Sequence, residues 1–513
     1  MESESLLKTK LSFYCRQRAG SNFLKRQGAS KVVTYGDFKE SLDLLETVLN
    51  ELKVERSAPL LVCLQKNFDQ CLILSGLLYR QTPALVVSDQ TKLQQISLLI
   101  LQYPFAAVVT QQSIAKKLVE YMPDFEWGES RRYPSLESDP FIFLKPKKTR
   151  HCEEKFAWSL HTSGSTGHPK IALMSEKNIM DRTVGEIDLF ELPERGQILN
   201  VLPFSHDLGL NQLLTTLATG SELEIFSKPM PVDFGNRLMA STQLAFTGMP
   251  SIWENFIKLA ESAGWECPAE GFVTISGGSM SPENIQKLKR ILKNVRLIKT
   301  YGQTETFRTL AETDQVRVLR HSCGRPLGGV QVALIDEEGK NCRPGQVGQL
   351  VHFGSGAMLG YWKEESQSDR KRIPVKTLLP EANMNDSGIL TGDFFQLLPE
   401  GDYQYLGRRD DLVKVSGERF FLSEVEDCIL SSDWVEEACV FRVEGHSVRY
   451  RESHLIAFVV PKVEPTSLER KIREYCLERI SAFKVPSQIL IRSSFPRTST
   501  TKIDRGTLLA SLK

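Results

Sequence analysis

The sequence lacks an excess of either charge, and it has no apolar run long enough to cross a lipid bilayer. Lys and Arg together number 64, against 63 for Asp and Glu, and this balance does not predict nucleic acid or an anionic membrane as the main partner. The longest apolar runs, such as Cys71–Tyr79, are too short for a transmembrane helix. The acidic N-terminal residues precede no apolar segment of the kind found in signal peptides. We therefore expect a cytoplasmic protein with no transmembrane segment.

Cysteine motifs are also missing. The ten cysteines are scattered, with no C-x-x-C pair and no His/Cys cluster at the spacing of metal ligands. This distribution favours buried, reduced thiols over a disulfide framework or a zinc site. The chain has 513 residues, of which 41% are hydrophobic and 25% charged. A composition of this kind is typical of a folded protein with more than one domain.

Short buried-strand patterns alternate with amphipathic segments through the first 300 residues. Such alternation predicts βαβ units and a mostly parallel sheet. A capping box at Thr34–Asp37 predicts the start of a helix, and the charged segment 140–154 is predicted to be a loop. From Val330 the strand patterns become shorter and are separated by turns, which indicates a β-rich subdomain. The last hundred residues are typical of a compact α+β unit.

The segment Leu160–Lys170 is rich in groups that bind phosphate. Four hydroxyl residues and two glycines fill positions 162–167, and Lys170 follows. Glycines let backbone amides approach an anion closely, hydroxyls add donors and the lysine adds a positive charge. The sequence therefore predicts a phosphate-binding loop. Its glycine-to-lysine spacing differs from the P-loop pattern, and no Ser or Thr follows the lysine.

Five more motifs follow this loop in a fixed order. They are Pro203–Gly209 (PFSHDLG), Tyr301–Glu305 (YGQTE), Thr391–Asp393 (TGD), Gly407–Gly417 (GRRDDLVKVSG) and Pro496–Arg505 (PRTSTTKIDR). Together with the loop, this set resembles the adenylate-forming superfamily, which includes acyl-CoA synthetases, firefly luciferase and the adenylation domains of peptide synthetases. The likeness covers essentially the whole chain.

The resemblance implies an α/β fold with a large N-terminal domain of βαβ-type sheets and a β-rich subdomain, hinged to a small α+β C-terminal domain. The implied domains are 1–409, which binds AMP, and 410–513, which is mobile and carries a catalytic lysine. The implied reaction uses ATP and Mg²⁺. A carboxylate attacks the α-phosphate of ATP to give an acyl-adenylate and pyrophosphate, and a thiol then displaces AMP.

The resemblance also assigns roles to individual residues. The implied ATP-binding residues are Thr162, Ser163, Gly164, Ser165, Thr166, Gly167, Lys170, Gly278, Ser279, Tyr301, Gly302, Asp393, Arg408 and Arg419. Within this set Tyr301 would stack on adenine and Asp393 would accept the ribose hydroxyls. The implied catalytic residues are Lys502, Thr304, Glu305 and His206, with Glu305 as the Mg²⁺ ligand. Asp410 matches the hinge and Gly417 the thiol tunnel. Thr501 stands where the family usually has glycine.

The same likeness implies an acid-binding pocket. Its residues would be His206, Asp207, Leu208, Asn211, Thr247, Ile275, Gly277, Thr300, Arg308 and Thr309. Two of them have alternative interpretations. His206 is either a gate beside the pocket or a structural histidine, and Arg308 either enters the pocket or pairs with a nearby acid.

Asp207 bears on the substrate. In amino-acid-activating relatives an aspartate at this place binds the substrate ammonium, and a buried carboxylate needs such a partner. The residues His206–Leu210 also resemble fatty-acyl-AMP ligases, whose substrates have no amine. Two features count against that subgroup: the chain is too short for its extra insertion, and Arg409–Asp411 keeps the ordinary hinge pattern.

Three hypotheses follow. The first is a freestanding ligase that activates an amino acid and loads it on the phosphopantetheine of a separate carrier protein, because only eight residues follow Arg505. The second is a fatty- or aryl-acid ligase that makes an acyl-CoA or acyl-carrier thioester. The third is a catalytically inactive binding subunit, which is disfavoured because Lys170, Glu305, Asp393 and Lys502 are all present.

Overall fold

The computed structural model describes most of the chain in atomic detail. The described residues are 6–26, 32–133, 136, 139–148, 150–162, 170–192, 196–226, 231–319, 322–374, 378, 387–415, 418–443, 454–462, 467–497 and 503–512.

The chain divides into two compact units. Unit 1 consists of Met1–Ala333, Val351–Thr391 and Glu400–Tyr403. Unit 2 consists of Leu334–Leu350, Gly392–Pro399 and Gln404–Lys513. The domain boundary at residues 409 and 410 stays a prediction.

The described residues form the following helices: α1 (Leu6–Gln17), α2 (Tyr35–Glu51), α3 (Phe68–Arg80), α4 (Leu93–Gln102), α5 (Gln112–Tyr121), α6 (Glu176–Phe190), α7 (Asp207–Thr219), α8 (Pro231–Met239), α9 (Pro250–Ala263), α10 (Pro282–Ile291), α11 (Glu365–Arg370), α12 (Leu422–Leu430), α13 (Leu468–Leu477) and α14 (Arg505–Ala510). Short 3₁₀ helices lie at Arg317–Leu319, Arg409–Asp411 and Ala482–Lys484.

The strands are β1 (Asn22–Arg26), β2 (Val32–Thr34), β3 (Leu60–Cys63), β4 (Ala84–Val87), β5 (Ala107–Gln111), β6 (Trp127–Tyr133), β7 (Phe141–Pro146), β8 (Trp158–Thr162), β9 (Lys170–Met174), β10 (Gln197–Asn200), β11 (Glu222–Ile225), β12 (Gln243–Gly248), β13 (Glu270–Ser276), β14 (Val295–Gln303), β15 (Phe307–Glu312), β16 (Arg325–Pro326), β17 (Val330–Ile335), β18 (Val347–Gly354), β19 (Gly360–Tyr361), β20 (Arg372–Pro374), β21 (Ser387–Leu397), β22 (Tyr403–Arg408), β23 (Leu412–Val415), β24 (Glu418–Phe421), β25 (Val435–Val443), β26 (His454–Pro461) and β27 (Gln488–Ile491).

Unit 1 contains two large sheets. In the described part of the chain, sheet A has the strand order β16-β15-β14-β13-β12-β10-β11-β1-β2, and sheet B has the order β19-β9-β8-β4-β3-β5-β7-β6. In sheet A, the neighbouring strands β11, β10, β12, β13 and β14 pair in parallel. In sheet B, β3 pairs in parallel with both β4 and β5. Strands that alternate with helices favour this arrangement, because a parallel pair needs a crossover connection.

Two helices of unit 1 are buried over nearly their whole length. All the residues of α7 from Gly209 to Thr219 are buried, and in α3 only Tyr79 is not. One hydrophobic core joins these helices to residues of both sheets, for example Phe23 in sheet A and Val62 in sheet B. A helix that is apolar on all sides is typical of such a position between two sheets.

A third sheet contains β17, β18, β20, β21 and β22, in the order β17-β18-β21-β20 with β22 paired to β21. The C-terminal part of unit 2 has a three-stranded sheet, β25-β26-β27, and a hairpin of β23 and β24. Val425 and Ile472 from helices α12 and α13 lie in the core of this part. The predicted α/β class, with a β-rich part and an α+β C-terminal part, is confirmed.

Local sequence signals placed several elements correctly. The capping box at Thr34 is present, with the Asp37 amide donating to the Thr34 hydroxyl at 3.1 Å and the Asp37 carboxylate accepting the Thr34 amide at 2.7 Å. The prediction of a loop over residues 140–154 is wrong in its first half, because Phe141–Pro146 forms β7. Its alternating buried side chains pair with β5 and β6, and this burial outweighs the proline and lysine content. Within the described ranges, no helix is both long enough and apolar enough to cross a membrane.

Candidate active site

The predicted pocket residues meet at one edge of sheet A, where its parallel strands end. Thr247 lies near the end of β12, Ile275 near the end of β13 and Thr300 on β14. The register pairs Ser276 with Thr300, and their hydroxyl oxygens are 2.6 Å apart. Ligands of open α/β sheets bind beside the carboxyl ends of the strands. The strand order therefore brings these predicted pocket residues to one edge of the sheet, which the motifs alone could not define.

Gly277, Gly278 and Ser279 follow directly after β13 and are exposed. Gly277 has a φ of 80°, in the left-handed region that favours glycine. The backbone therefore turns sharply away from the sheet at this point. The residues predicted to border the nucleotide thus lie at the same edge as Ile275.

The YGQTE motif forms the end of β14 and the start of the tight connection to the antiparallel β15. A Cβ atom at Gly302 would lie 1.6 Å from the carbonyl oxygen of Phe307, so only glycine fits there. Phe307 has a φ of 52°, which is an unfavourable value for an aromatic residue. This connection holds Thr304 and Glu305, both half-buried, at the end of the strand pair.

Tyr361 joins two motifs that are far apart in the sequence. Its hydroxyl donates to Glu305 Oε1 at 2.7 Å, and the Nζ atom of Lys170 lies 5.2 Å from the centre of its ring. Tyr361 is held in this position by the pairing of β19 with β9, in which it lies opposite Ala172. The fold therefore brings the lysine of the phosphate-binding loop and the predicted metal ligand to the same aromatic side chain.

Gln303 connects the YGQTE motif to the TGD motif. Its Nε2 atom donates to the carbonyl oxygen of Thr391 at 2.8 Å and to the Tyr301 hydroxyl at 3.4 Å. The ammonium of Lys371 donates to the same carbonyl oxygen at 3.2 Å. Three of the six motifs are thus in contact within unit 1, directly or through Tyr361.

The HDLG motif forms the start of α7. His206 is the N-cap residue, and Asp207 is the first helical residue, with its Oδ1 accepting the Leu208 amide at 2.8 Å. A Cβ atom at Gly209 would lie 2.1 Å from the carbonyl oxygen of Pro203, so glycine lets the helix begin against the preceding turn. His206, Asp207 and Leu208 are half-buried, so their side chains remain accessible to a ligand.

A small cavity lies beside α7 and β15. About 260 Å³ of atom-free space, part of it open to solvent, lies among its lining residues. Three of the predicted pocket residues line it, and they are Asn211, Thr247 and Arg308. Thr309, the next residue on β15, has its hydroxyl 3.1 Å from both the Thr306 hydroxyl and His352 Nδ1. Successive strand residues point to opposite faces, so Thr309 is not brought to the cavity with Arg308.

Arg308 both lines the cavity and pairs with an acid. It forms a buried ion pair with Glu186, and its Nη2 donates to the Thr247 hydroxyl at 3.1 Å. A second arginine, Arg182, has its Nε 3.8 Å from the other oxygen of Glu186. Burial is the largest influence on the Arg182 guanidinium and lowers its pKa, while Glu186 acts in the opposite direction. The pairing of Arg308 with a nearby acid is therefore observed, while its entry into an acid-binding pocket stays a prediction.

Two histidines in the described part of unit 1, half-buried His161 and buried His352, have lowered pKa values. Burial and, to a smaller extent, the nearby His206 lower the pKa of His161, on the strand before the predicted phosphate-binding loop, to about 4. Burial lowers the pKa of His352 to about 3. Both imidazoles are therefore neutral near pH 7.

Unit 2 contains the remaining described site residues. Asp393 is buried and accepts a hydrogen bond from Arg408 Nε at 3.1 Å. Arg419 forms an exposed ion pair with Glu337. Asp410 is exposed in a 3₁₀ helix that directly precedes β23. The paired arginine orients the Asp393 carboxylate.

Several predicted residues lie outside the described residues. They are Ser163, Gly164, Ser165, Thr166, Gly167, Gly417, Thr501 and Lys502. Their assignments stay predictions.

Sequence reasoning missed four side chains at this site. Tyr361, Glu186 and Arg182 belong to no motif, and Gln303 lay inside a motif without an assigned role. The only sequence signal was an aromatic residue after Gly360 and an acid four residues beyond Arg182 on a predicted helix. Neither signal identifies a partner that is distant in the chain.

The comparisons with known families identify this fold. The model of the AMP-binding enzyme family matches residues 14–362, and that of the AMP-binding enzyme C-terminal domain matches residues 424–502. The chain belongs to the AMP-binding enzyme family. This membership agrees with the superfamily that the six motifs predicted.

Similar curated proteins of this family include large peptide synthases. The chain is 24% identical over 488 residues to tyrocidine synthase 2 of Brevibacillus parabrevis, covering 93% of this chain and 13% of that protein. It is 28% identical over 363 residues to gramicidin S synthase 1 of Brevibacillus brevis, covering 69% of this chain and 31% of that protein. The chain therefore spans less than a third of the length of these two relatives.

Solved structures of AMP-binding enzymes share the fold of the chain. ATP-bound MatB from Rhodopseudomonas palustris superposes with a TM-score of 0.81 at 18% identity, covering 99% of both chains. The o-succinylbenzoate CoA synthetase MenE from Bacillus subtilis, in complex with its acyl-adenylate intermediate, gives a TM-score of 0.79 at 19% identity over 98% of this chain and 97% of that one. At this level of identity the likeness establishes the fold.

Proposed function

We propose that the chain is an ATP-dependent ligase that activates a carboxylic acid as its adenylate. One oxygen of the carboxylate attacks the α-phosphorus of ATP, the bond to the β-phosphate oxygen breaks, and pyrophosphate leaves. A phosphopantetheine thiol then attacks the acyl carbon and displaces AMP. The observation that carries the proposal is the meeting of Lys170 and Glu305 at Tyr361, because it puts a phosphate-binding cation beside an acid suited to a hard metal ion.

The roles proposed for the nucleotide-binding residues follow their chemistry. Lys170 and the hydroxyl residues of the phosphate-binding loop hold the β- and γ-phosphates, and Thr304 contacts the α-phosphate. Tyr301 stacks on adenine, and Asp393, oriented by Arg408, accepts the ribose hydroxyls. Preorganised donors at the places where charge develops are the main source of rate enhancement in such transfers.

Glu305 fits the Mg²⁺ that this chemistry needs. The described ranges hold no group of three or more His, Cys, Asp or Glu that could bind a metal unaided. Mg²⁺ is usually held by one or two carboxylates together with substrate phosphates and water, so one oriented carboxylate beside the phosphate-binding lysine meets the requirement. When bound, the ion would neutralise charge on the triphosphate. The hydrogen bond from Tyr361 fixes the orientation of the carboxylate.

Lys502 is the proposed catalytic cation of the first half-reaction. An ammonium between the attacking carboxylate and the α-phosphate stabilises negative charge in the transition state. The proposed C-terminal domain, 410–513, turns about Asp410 between the two half-reactions and brings Gly417 beside the thiol. A cytoplasmic location stays a prediction.

The favoured substrate is an amino acid, and the favoured acceptor is a carrier protein. Asp207 is accessible at the start of α7, where its carboxylate can bind an ammonium group. The peptide synthases among the relatives support this choice. The alternative, a fatty- or aryl-acid ligase that uses CoA or a carrier protein, keeps Asp207 as a structural residue, and the likeness to a CoA synthetase fold is compatible with it.

ATP–pyrophosphate exchange without any thiol tests the proposed activity. The panel contains amino acids, fatty acids and aryl acids. Exchange with at least one acid is expected, and exchange only with amino acids would make Asp207 the ammonium anchor. The Asp207→Ala variant should then lose amino-acid activation while acids without an amine are unaffected. Unchanged amino-acid activation in that variant would remove the anchor role.

The Lys502→Ala variant tests the division between the half-reactions. It should abolish adenylate formation and leave thioester formation from pre-made adenylate largely intact. A matched control is Lys471→Ala, because Lys471 is an exposed lysine on α13 whose Nζ lies 6.0 Å from the Trp434 ring centre. Equal loss of both half-reactions in the Lys502 variant would contradict the assignment.

A further inference from the structure

The cavity beside α7 contains an unbalanced buried charge. Arg182, Glu186 and Arg308 are 0%, 1% and 3% exposed, so two guanidinium groups share a single carboxylate. Charged groups out of contact with water are normally paired, because an uncompensated buried charge is strongly destabilising. The cluster thus carries one positive charge more than its partner can neutralise.

Neighbouring groups do not supply the missing negative charge. His352, next to Arg182, is neutral because burial lowers its pKa to about 3. Asp181 acts on Arg182 from the surface side of α6, but its side chain is 45% exposed and already pairs with Lys177. Among the described residues the excess charge therefore remains.

The excess charge lies at the wall of the cavity. Arg308 lines the cavity, and its Nε is buried without a hydrogen-bond partner among the described residues. The amide Nδ2 of Asn211 is likewise buried and unpartnered, and its Oδ1 lies 3.4 Å from Arg308 Nη1. Both residues line the cavity, so two buried donors without an acceptor lie at its wall. Such donors are costly to leave unpaired, and they match the oxygens of an anion.

The position of this wall relative to Asp207 sets the size of the ligand. Asn211 lies four residues after Asp207 on α7, so the two side chains share one helix face about 6 Å apart along the axis. Phe190 and Phe272 enclose the cavity from the apolar side. A ligand that spans Asp207 and Asn211 would be a short carbon chain with a polar group at each end. A lysine-like side chain would be repelled by Arg308, and a long apolar chain would leave the arginine and the amide unpaired.

We infer that the acid activated by this chain carries a second anionic group at its distal end, which binds Arg308 and the Asn211 amide. The inference rests on the proposed function, since it names the substrate class of the same site. With this ligand bound, Glu186 and the distal carboxylate together balance Arg182 and Arg308. Acidic amino acids and plain dicarboxylic acids share this distal group, and Asp207 distinguishes between them.

Two measurements on the intact wild-type chain test the inference. The probes are aspartate, glutamate, succinate and glutarate, each compared with its distal monoamide, together with valine and lysine. The first measurement is direct binding in the absence of ATP, by calorimetry and by the shift of the thermal transition. The second is ATP–pyrophosphate exchange. An acid should bind and exchange roughly 10- to 100-fold better than its amide, because the amide removes the charge and keeps the size.

A pair of arginine variants locates the effect. In Arg308→Gln the preference for acid over amide should fall to within a few-fold. The control is Arg296→Gln, because Arg296 is a part-exposed arginine on β14 that pairs with Glu191 at 3.3 Å, and this variant should keep the full preference. If Arg308→Gln does not fold, the wild-type comparison of each acid with its amide still decides the inference.

The outcomes separate this inference from the proposed function. Binding of the dicarboxylates without exchange would support the inference and overturn the ligase activity. Exchange that is equal or better with amides, valine or lysine would support the ligase and overturn the inference. If no probe shows either binding or exchange, both the inference and the proposed ligase activity are overturned. Preference for aspartate and glutamate over succinate and glutarate would assign Asp207 as the ammonium anchor, and the reverse preference would assign a plain dicarboxylic acid.

Discussion

Tyr361→Phe is the variant that most directly tests the geometry around Glu305. The change removes only the hydroxyl, which donates to Glu305 Oε1 at 2.7 Å. It keeps the ring, which is 5% exposed and lies 5.2 Å from Lys170 Nζ. A hydrogen bond to a charged group contributes about 1.5–3 kcal/mol. Since about 1.4 kcal/mol is a factor of ten in rate, the expected loss in pyrophosphate exchange is about 10- to 150-fold.

The assay is exchange measured over a series of Mg²⁺ concentrations. If Tyr361 orients the carboxylate for the metal, the variant should also need more Mg²⁺ for half-maximal exchange. The matched control is Tyr133→Phe. Tyr133 is 4% exposed, and its hydroxyl lies 2.7 Å from the Ser41 hydroxyl. Loss of the Tyr133 hydroxyl should leave pyrophosphate exchange unchanged. The reasoning would be refuted if Tyr361→Phe showed the same exchange rate and the same Mg²⁺ dependence as the wild type.

Three further predictions concern unit 1. Gly302→Ala should lower the free energy of unfolding by about 3 kcal/mol or more and abolish exchange, because its Cβ would lie 1.6 Å from the Phe307 carbonyl oxygen. Glu186→Gln should lower the free energy of unfolding, measured in urea, by about 3–5 kcal/mol, because Arg308 loses its buried charged partner. His352 has a pKa near 3 in the folded chain against 6.5 in the unfolded one, so the unfolded state binds more protons in this range. Stability should therefore fall as pH drops below about 6.5, by up to about 1.4 kcal/mol per pH unit.

Matched variants control these three measurements. Gly20→Ala is the control for Gly302, because a Cβ at Gly20 meets nothing within 4 Å, and Glu261→Gln, at an exposed carboxylate, is the control for Glu186. For the pH series, His352→Gln should flatten the acid-side slope. Equal stabilities of each variant and its control, or an unchanged slope in His352→Gln, would contradict the corresponding structural interpretation.

Local signals in the sequence were sufficient for much of the fold. Examples are the capping box at Thr34, the continuous apolar runs at β3 and β4, and the serine, proline and acid at the start of α10. Each of these signals depends only on residues that are close together in the sequence. The prediction of a loop over residues 140–154 was wrong in its first half because the interactions that form β7 are not local. The alternation in β7 is short, and its strand partners lie elsewhere in the chain.

The sequence by itself determined the motifs, their order and the chemistry they can perform, because glycine, hydroxyl, lysine and carboxylate groups have fixed chemical properties. Only the tertiary structure decided which of them meet. Lys170 and Glu305 converge because β9 pairs with β19 and brings Tyr361 between them. Arg308 pairs with Glu186, 122 residues away in the chain. Such partners depend on strand order and helix packing, which no local pattern of residues encodes.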